Sequence, residues 1–248
     1  MGLPSLAFSK SMACAAALFT LLMSNGVQAI DEDYDDICRC QNPYESGRSI
    51  PVVIRDFKES HPDFESFTGN YANTNIVEED LGPDGRPVYS GEDYLSTSGK
   101  ENFDQWYRNV PGVNIAFPTQ LKLTEVAPGL WEHKDMEFFP IDNLGWGNER
   151  FPRNYHFTME MHLQFLYEGG ESFTFRGDDD LWVFINGKLA INLGGTHPML
   201  EDTIHLDDLA EELGIEPGNM YSFDLFFAER HFNHSRFMFQ TTIDLECL

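Results

Sequence analysis

Positive charge is scarce in this chain. Sixteen Lys and Arg stand against 41 Asp and Glu, for a formal net charge of −25. Nucleic acid and anionic membranes are therefore poor partners, because both call for a basic face. After residue 30 no apolar run is long enough to span a bilayer, so no membrane insertion is expected of the mature protein. Catalytic signatures are missing as well: there is no Ser-centred nucleophile elbow, His-Glu-x-x-His zinc motif, phosphate loop or Cys-His pattern. Nor does the sequence offer an isolated acid in an apolar setting, as a glycosidase general acid requires. These absences point away from an enzyme. Internal repeats are not evident.

Cysteine is also sparse, with four in the chain. Lys10, the apolar run Met12 to Met23 and the small-residue ending Val27-Gln28-Ala29 read as a secretory signal peptide over 1–29, and Cys14 would leave with it. Residues 30–49 read as an acidic tail carrying Cys38 and Cys40, and 50–248 as one β domain. Cys38, Cys40 and Cys247 are disulfide candidates in an oxidising compartment. One of the first two would pair with Cys247, and the other would stay free or link two chains in self-association. A Cys-x-Cys metal site lacks further ligands at a zinc-like spacing. The expected location is secreted, extracellular or cell surface, with the periplasm open in a Gram-negative cell.

Twenty-one Phe in a chain with few aliphatic stretches suit two sheets packed through aromatic inner faces. Strand-like runs rich in aromatic and β-branched residues occur at 50–57, 121–126, 155–167, 172–176, 181–185, 188–193, 220–229 and 236–245. Pro51 places the start of the first at a sheet edge. Residues 58–100 carry enough Gly, Pro, Asn, Asp and Ser to predict long loops with at most a short helix, and irregular stretches of that length are often functional. Helical signal is confined to Leu206–Leu213, closed by Gly214. The expected fold is all-β: an antiparallel β-sandwich or barrel, jelly-roll-like, with long loops.

The most informative stretch is 176–195. Asn186-Gly187 between two apolar runs fits a type I′ turn, whose central residues both need positive φ. Asp178, Asp179 and Asp180 stand just before the first of those strands, at a sheet rim, where three adjacent charges repel unless neutralised. A hard, oxygen-seeking cation suits them, and Ca2+ tolerates an irregular carboxylate and carbonyl shell better than Mg2+ does. The competing reading is a solvated acidic turn. Asn192, after the second strand, is a further candidate ligand, against an ordinary turn role.

Several segments, taken in order, match one known family. They are Arg55-Asp56-Phe57, His61-Pro62-Asp63-Phe64-Glu65, Phe103-Asp104-Gln105-Trp106-Tyr107, Phe138-Phe139-Pro140-Ile141-Asp142, Asn154-Tyr155-His156-Phe157-Thr158, the 177–188 hairpin and Phe226-Phe227-Ala228-Glu229-Arg230-His231. Over residues 50–246 the chain resembles the fibro-slime domain, which is related to the protective-antigen-type adhesion and lectin domains. That resemblance implies a protective-antigen-like β-sandwich with a glycan or cell-surface role. In the calcium-dependent lectins of the wider group, two successive aspartates joined by a cis peptide hold calcium, and the metal holds sugar hydroxyls. Counting back from Asn186-Gly187-Lys188 puts those positions on Asp178 and Asp179, with Asp180 where Gly is common. The resemblance also brings Glu229 and Arg230 near the aspartates. Read from the residues alone, Arg230 pairs with a carboxylate and holds two strands together.

Trp146, between two glycines, is a candidate sugar platform, with a buried loop anchor as the alternative. Trp182 reads as structural, and His197, before Pro198, as a hydrogen-bonding loop residue or part of the ligand site. The leading expectation is a secreted, calcium-dependent, non-catalytic module that binds cell-surface or extracellular polysaccharide. A structural matrix or cell-surface assembly protein, in which the cation only stabilises the fold, is the alternative. A secreted glycoside hydrolase is a distant third.

Overall fold

A computed structural model describes residues 48–67, 72–91 and 96–247. The signal-peptide, acidic-tail, Cys38 and Cys40 expectations lie outside these residues, except that the first strand starts at Arg48 and so takes in the last two positions assigned to the tail. The chain runs β1 (Arg48–Phe57), α1 (Lys100–Phe103), β2 (Asn114–Ala127), β3 (Leu130–Asp135), β4 (Phe157–Tyr167), β5 (Ser172–Gly177), β6 (Asp180–Ile185), β7 (Lys188–Leu193), β8 (Leu200–His205), α2 (Leu206–Leu213), β9 (Asn219–Glu229), β10 (Phe237–Thr241) and β11 (Glu246–Cys247). The all-β expectation is met, and among the described residues helix is confined to two short elements. β3 and β8 are strands that the sequence reading passed over.

Hydrogen bonding links the strands in the order β7-β6-β9-β4-β1-β2-β3-β10-β5-β8, with β11 added to β4. All these pairings are antiparallel. The long β2 belongs to both sheets. Its residues 114–123 pair with β1 and its end pairs with β3, across a register shift between Glu125 and Ala127. Pro51 is tolerated because the β1–β4 ladder runs only from Val53 onward, so its missing N–H costs that ladder no bond. The hairpin forms as its turn demands, with Asn186 at φ 52, Gly187 at φ 74 and Ile185 opposite Lys188.

Alternation along β9 shows how the core is divided. Phe223, Leu225 and Phe227 enter the main core with Phe157, Met159, Phe173, Phe175, Phe237 and Phe239. Phe226 and Ala228 point the other way and pack with Trp182 and Phe184 against Ile76, Val77, Tyr89, Phe103, Trp106 and Tyr107. Residues 72–91 and 96–113 therefore form a third layer over the first sheet. This explains why every residue of β6 is buried, and it confirms Trp182 as structural.

A buried ionic knot fastens this layer. Glu160, on the outward face of β4, receives Arg55 Nη2 at 2.8 Å and Arg86 Nε at 2.7 Å, with His162 Nε2 at 3.2 Å. His162 Nδ1 faces Asp224 at 2.7 Å. Burial by itself would raise the Glu160 pKa, but the His162 hydrogen bond and the Arg55 and Arg86 charges outweigh it and hold the carboxyl down at about 2. A depressed carboxylate contributes stability that is present above its unfolded pKa and is lost as pH falls towards the folded one. Glu160→Gln strips the buried Arg55 and the half-buried Arg86 of their partner. It should cost about 3–5 kcal/mol at pH 7 and flatten the acid loss between pH 4.5 and 2, as read by urea titrations across that range.

Candidate acidic rim site

β5 lies in the second sheet and β6 in the first, so the two residues joining them, Asp178 and Asp179, cross the rim of the sandwich. Gly177 permits the crossing, since a Cβ there would lie 2.5 Å from the Arg236 carbonyl oxygen. The Asp178 N–H donates to that same carbonyl at 3.2 Å. Asp179 takes a left-handed conformation at φ 54, which short polar side chains tolerate best. The Asp178–Asp179 peptide is trans, because the described residues contain no cis bond. The cis aspartate pair implied by the family resemblance is therefore not the conformation here.

The pairing of Asp180 with Ala228 brings Asp179 beside Glu229 at the end of β9. All three rim acids are buried: Asp178 is 4%, Asp179 5% and Glu229 1% exposed. Asp179 Oδ2 accepts the Arg230 N–H at 2.9 Å. Asp178 has only a long contact with Arg236 Nη1, at 3.4 Å. Glu229 accepts the His231 N–H at 3.4 Å, and its buried carboxyl has the Ser235 hydroxyl and the Asp179 carboxyl as side-chain neighbours. Burial pushes the Asp179 pKa up to about 6 against the opposing charge of Arg230. Burial first, and then the Asp179 charge, drive Glu229 well above the usual carboxylate range. Asp178 is raised more modestly, by burial opposed by Arg236. The sequence offers no isolated acid in an apolar setting, and the raised acids here are adjacent to one another, their pKa values lifted by enclosure within the fold.

The other predicted residues are placed elsewhere. Asp180 is fully buried on the outer-layer face, with Oδ2 on Arg230 Nε at 2.5 Å and Oδ1 accepting the Gly195 N–H at 2.7 Å. Both of its oxygens are engaged by protein, which separates it from Asp178 and Asp179. Asn192 accepts from Trp182 Nε1 at 3.1 Å and donates to the Thr74 carbonyl at 3.0 Å. It lines a groove of about 670 Å³ beside β7, and its side chain serves the third layer. His197 is held between the Pro198 and Leu193 carbonyls. Trp146 is half-buried, its ring lies under Lys58 Nζ at 3.9 Å, and its Nε1 is enclosed, so it is an anchor and not an open platform. Arg230 pairs with a carboxylate and joins β9 to β6, as its residue chemistry suggests. Cys247 lies on β11 against Leu163 of β4.

Among the described residues no three His, Cys, Asp or Glu side chains are grouped as a ready metal shell. Asp179 and Glu229 still offer hard oxygen donors in a setting that penalises two negative charges. Carboxylate oxygens are donors of the hard type that Ca2+ takes. Sequence reasoning ranked Glu229 below the aspartates because alternation alone gives a strand residue's face but not its enclosure.

Raised carboxyl pKa values have a definite sign in stability. The folded protein holds protons that the unfolded chain releases, so stability falls as pH rises from about 4 to 6. In chelator, Asp179→Asn should therefore stabilise the protein at pH 7, by up to roughly 3 kcal/mol at 1.36 kcal/mol per pH unit, and should make little difference at pH 3.5. Denaturant melts at the two pH values test this.

No protein-family model matches the chain. Among solved structures it has a loose likeness to the PA14 domain of the MpAFP antifreeze protein, at 8% identity and TM-score 0.33 over 80% of this chain and 85% of that one. It has another to a Kluyveromyces marxianus β-glucosidase, at 11% identity and TM-score 0.31 over 77% of this chain and 17% of the enzyme. Likenesses of this strength add nothing to the reading of the site. Sequence relationship is far clearer. The chain is 37% identical over 227 residues to protein psiJ and 38% identical over 214 residues to protein psiD, both of Dictyostelium discoideum. Four fifths of the chain is therefore homologous to the psi proteins of Dictyostelium discoideum, and it spans 31% of psiJ and 42% of psiD.

Proposed function

We propose that this chain is a secreted, fibro-slime-type module that binds carbohydrate at a calcium held by the acidic rim, and that it has no catalytic activity of its own. The observation that carries the reading is the Asp179–Glu229 pair: two buried, adjacent carboxyls whose like charges oppose one another. Native interiors seldom set two such groups side by side without a ligand or a functional use. In this reading Asp178, Asp179 and Glu229 supply the charged oxygens, and calcium takes the place of the protons that burial otherwise imposes. Bound calcium would present open coordination positions to vicinal sugar hydroxyls. The strongly acidic surface favours neutral glycans over anionic ones. Cys247 would join Cys38 or Cys40, tethering the preceding segment to β4.

Glu229 also has the raised pKa that a glycosidase general acid needs, which is the one observation favouring a hydrolase. Its enclosure argues the other way, since a general acid must come within hydrogen-bond reach of the scissile oxygen, and Glu229 is 1% exposed. A matrix protein that uses calcium purely as a staple is separated from a binding module by sugar affinity.

Thermal melts of the mature protein with calcium and with chelator are the direct test. A ligand bound only by the folded state adds roughly 2.7 kcal/mol at a hundred times its dissociation constant, so a shift of several degrees is expected. Asp179→Asn and Glu229→Gln should each abolish most of it, while Asn192→Ala should keep it. Retention on a glycan array that chelator releases supports the binding module. A calcium shift without any retention points to the staple, and turnover of polysaccharide to the hydrolase.

A further inference from the structure

The loop leaving β9 carries an apolar exposure that packing does not explain. Phe232 shows 50% of its surface to solvent, the highest figure among the large apolar side chains described. Its ring lies 5.7 Å from that of Phe151 at an interplanar angle of 16°, and 4.7 Å from that of His231. Phe151 in turn meets Tyr155 and His156 edge-on. The core does not need Phe232, so a polar residue there would give up little burial.

What fixes this ledge is the chain that borders the rim site. Glu65 Oε1 accepts the Phe232 N–H at 2.8 Å and faces His156 Nε2 at 3.0 Å, and its second oxygen faces His231 Nε2 at 3.6 Å. Two residues before Phe232, the Arg230 N–H donates to Asp179, and the intervening His231 N–H donates to Glu229. An exposed aromatic ring is thus held by backbone hydrogen bonds beside the buried acids. Pre-organisation of that kind lowers the ordering cost of binding.

We infer that Phe232, backed by Phe151, is the stacking platform for the apolar C–H face of a pyranose ring whose hydroxyls are held at the Asp178–Asp179 rim. This rests on the calcium-dependent glycan reading above. Aromatic faces are electron-rich and the C–H face of a sugar is electron-poor, so the two attract as ring edges and faces do. The platform would select among glycans by the flatness of that face, independently of which hydroxyls reach the cation.

The mature full chain, Phe232→Ala, Phe232→Trp and Asp179→Asn are compared for retention on agarose bearing mannose, galactose, glucose or N-acetylglucosamine in calcium. Melting shifts with calcium are measured alongside. The platform predicts that Phe232→Ala keeps the calcium shift but binds at least tenfold more weakly. It also predicts that Phe232→Trp binds as well as wild type and that its added indole emission changes on sugar addition. Equal binding by wild type and Phe232→Ala overturns the platform and leaves the calcium-glycan site standing. Loss of the calcium shift in Phe232→Ala also overturns it, by making the ring a support for the loop. A wild-type calcium shift without retention on any resin removes the platform, and absence of both removes the rim reading beneath it.

Discussion

The buried guanidinium of Arg230 is the contact on which the architecture around the rim depends. Its Nε meets Asp180 on β6, its Nη1 reaches the Ser96 and Asp63 carbonyls in the third layer, and its carbon centre lies 4.8 Å from the Trp106 ring. Its backbone N–H, meanwhile, holds Asp179. One residue thus links first sheet, covering layer and acidic rim. A fully buried cation is tolerable only with partners on several sides; the aspartate in direct contact with it is Asp180, with the charges of Asp179 and Asp63 behind it. The family-like Asp-Asp-Asp run therefore divides its labour. The third aspartate neutralises the arginine inside, and the first two turn to the rim with Glu229.

Much of the fold was legible in the sequence because its signals were local. Asn186-Gly187 dictates a hairpin whatever surrounds it, Gly214 closes α2 at φ 65, and the Phe-rich alternation of β4, β9 and β10 marks core-facing strands. What could not be read was anything that depended on the covering layer. β8, Leu-Glu-Asp-Thr-Ile-His, buries only Ile204 and looks like a polar loop until β5 is placed beside it. Residues 72–91 and 96–113 look like loops and, apart from α1, are irregular, yet they bury Trp106, Tyr107 and Phe103 as fully as any strand does.

The candidate site shows the same limit. The aspartates were visible as a charge cluster next to a hairpin, and Glu229 as part of a motif. Enclosure was not visible, and enclosure is what turns three ordinary carboxyls into a strained set with raised pKa values. It also reassigns Asn192 and Trp146, whose polar atoms are committed to neighbouring segments or enclosed within them. Asp56, raised to about 6 by burial despite its hydrogen bond from Asn154, illustrates that a buried carboxyl alone is no site. Its partners are supplied by the 145–154 loop, where Gly145 comes so close that an added Cβ would overlap the carboxylate.

β10 sits between β3 and β5 in the second sheet, although it lies about a hundred residues beyond one of them in the chain. During synthesis, therefore, the two neighbouring strands emerge from the ribosome long before the strand that joins them. Until residues 237–241 arrive, each presents an open hydrogen-bonding edge, and β5 adds Phe173 and Phe175, which lack their β10 neighbours. Topologies of this kind fold late and expose sticky intermediates. Mutual repulsion between acidic nascent copies works against contact between those unfinished edges until the short β10 closes them.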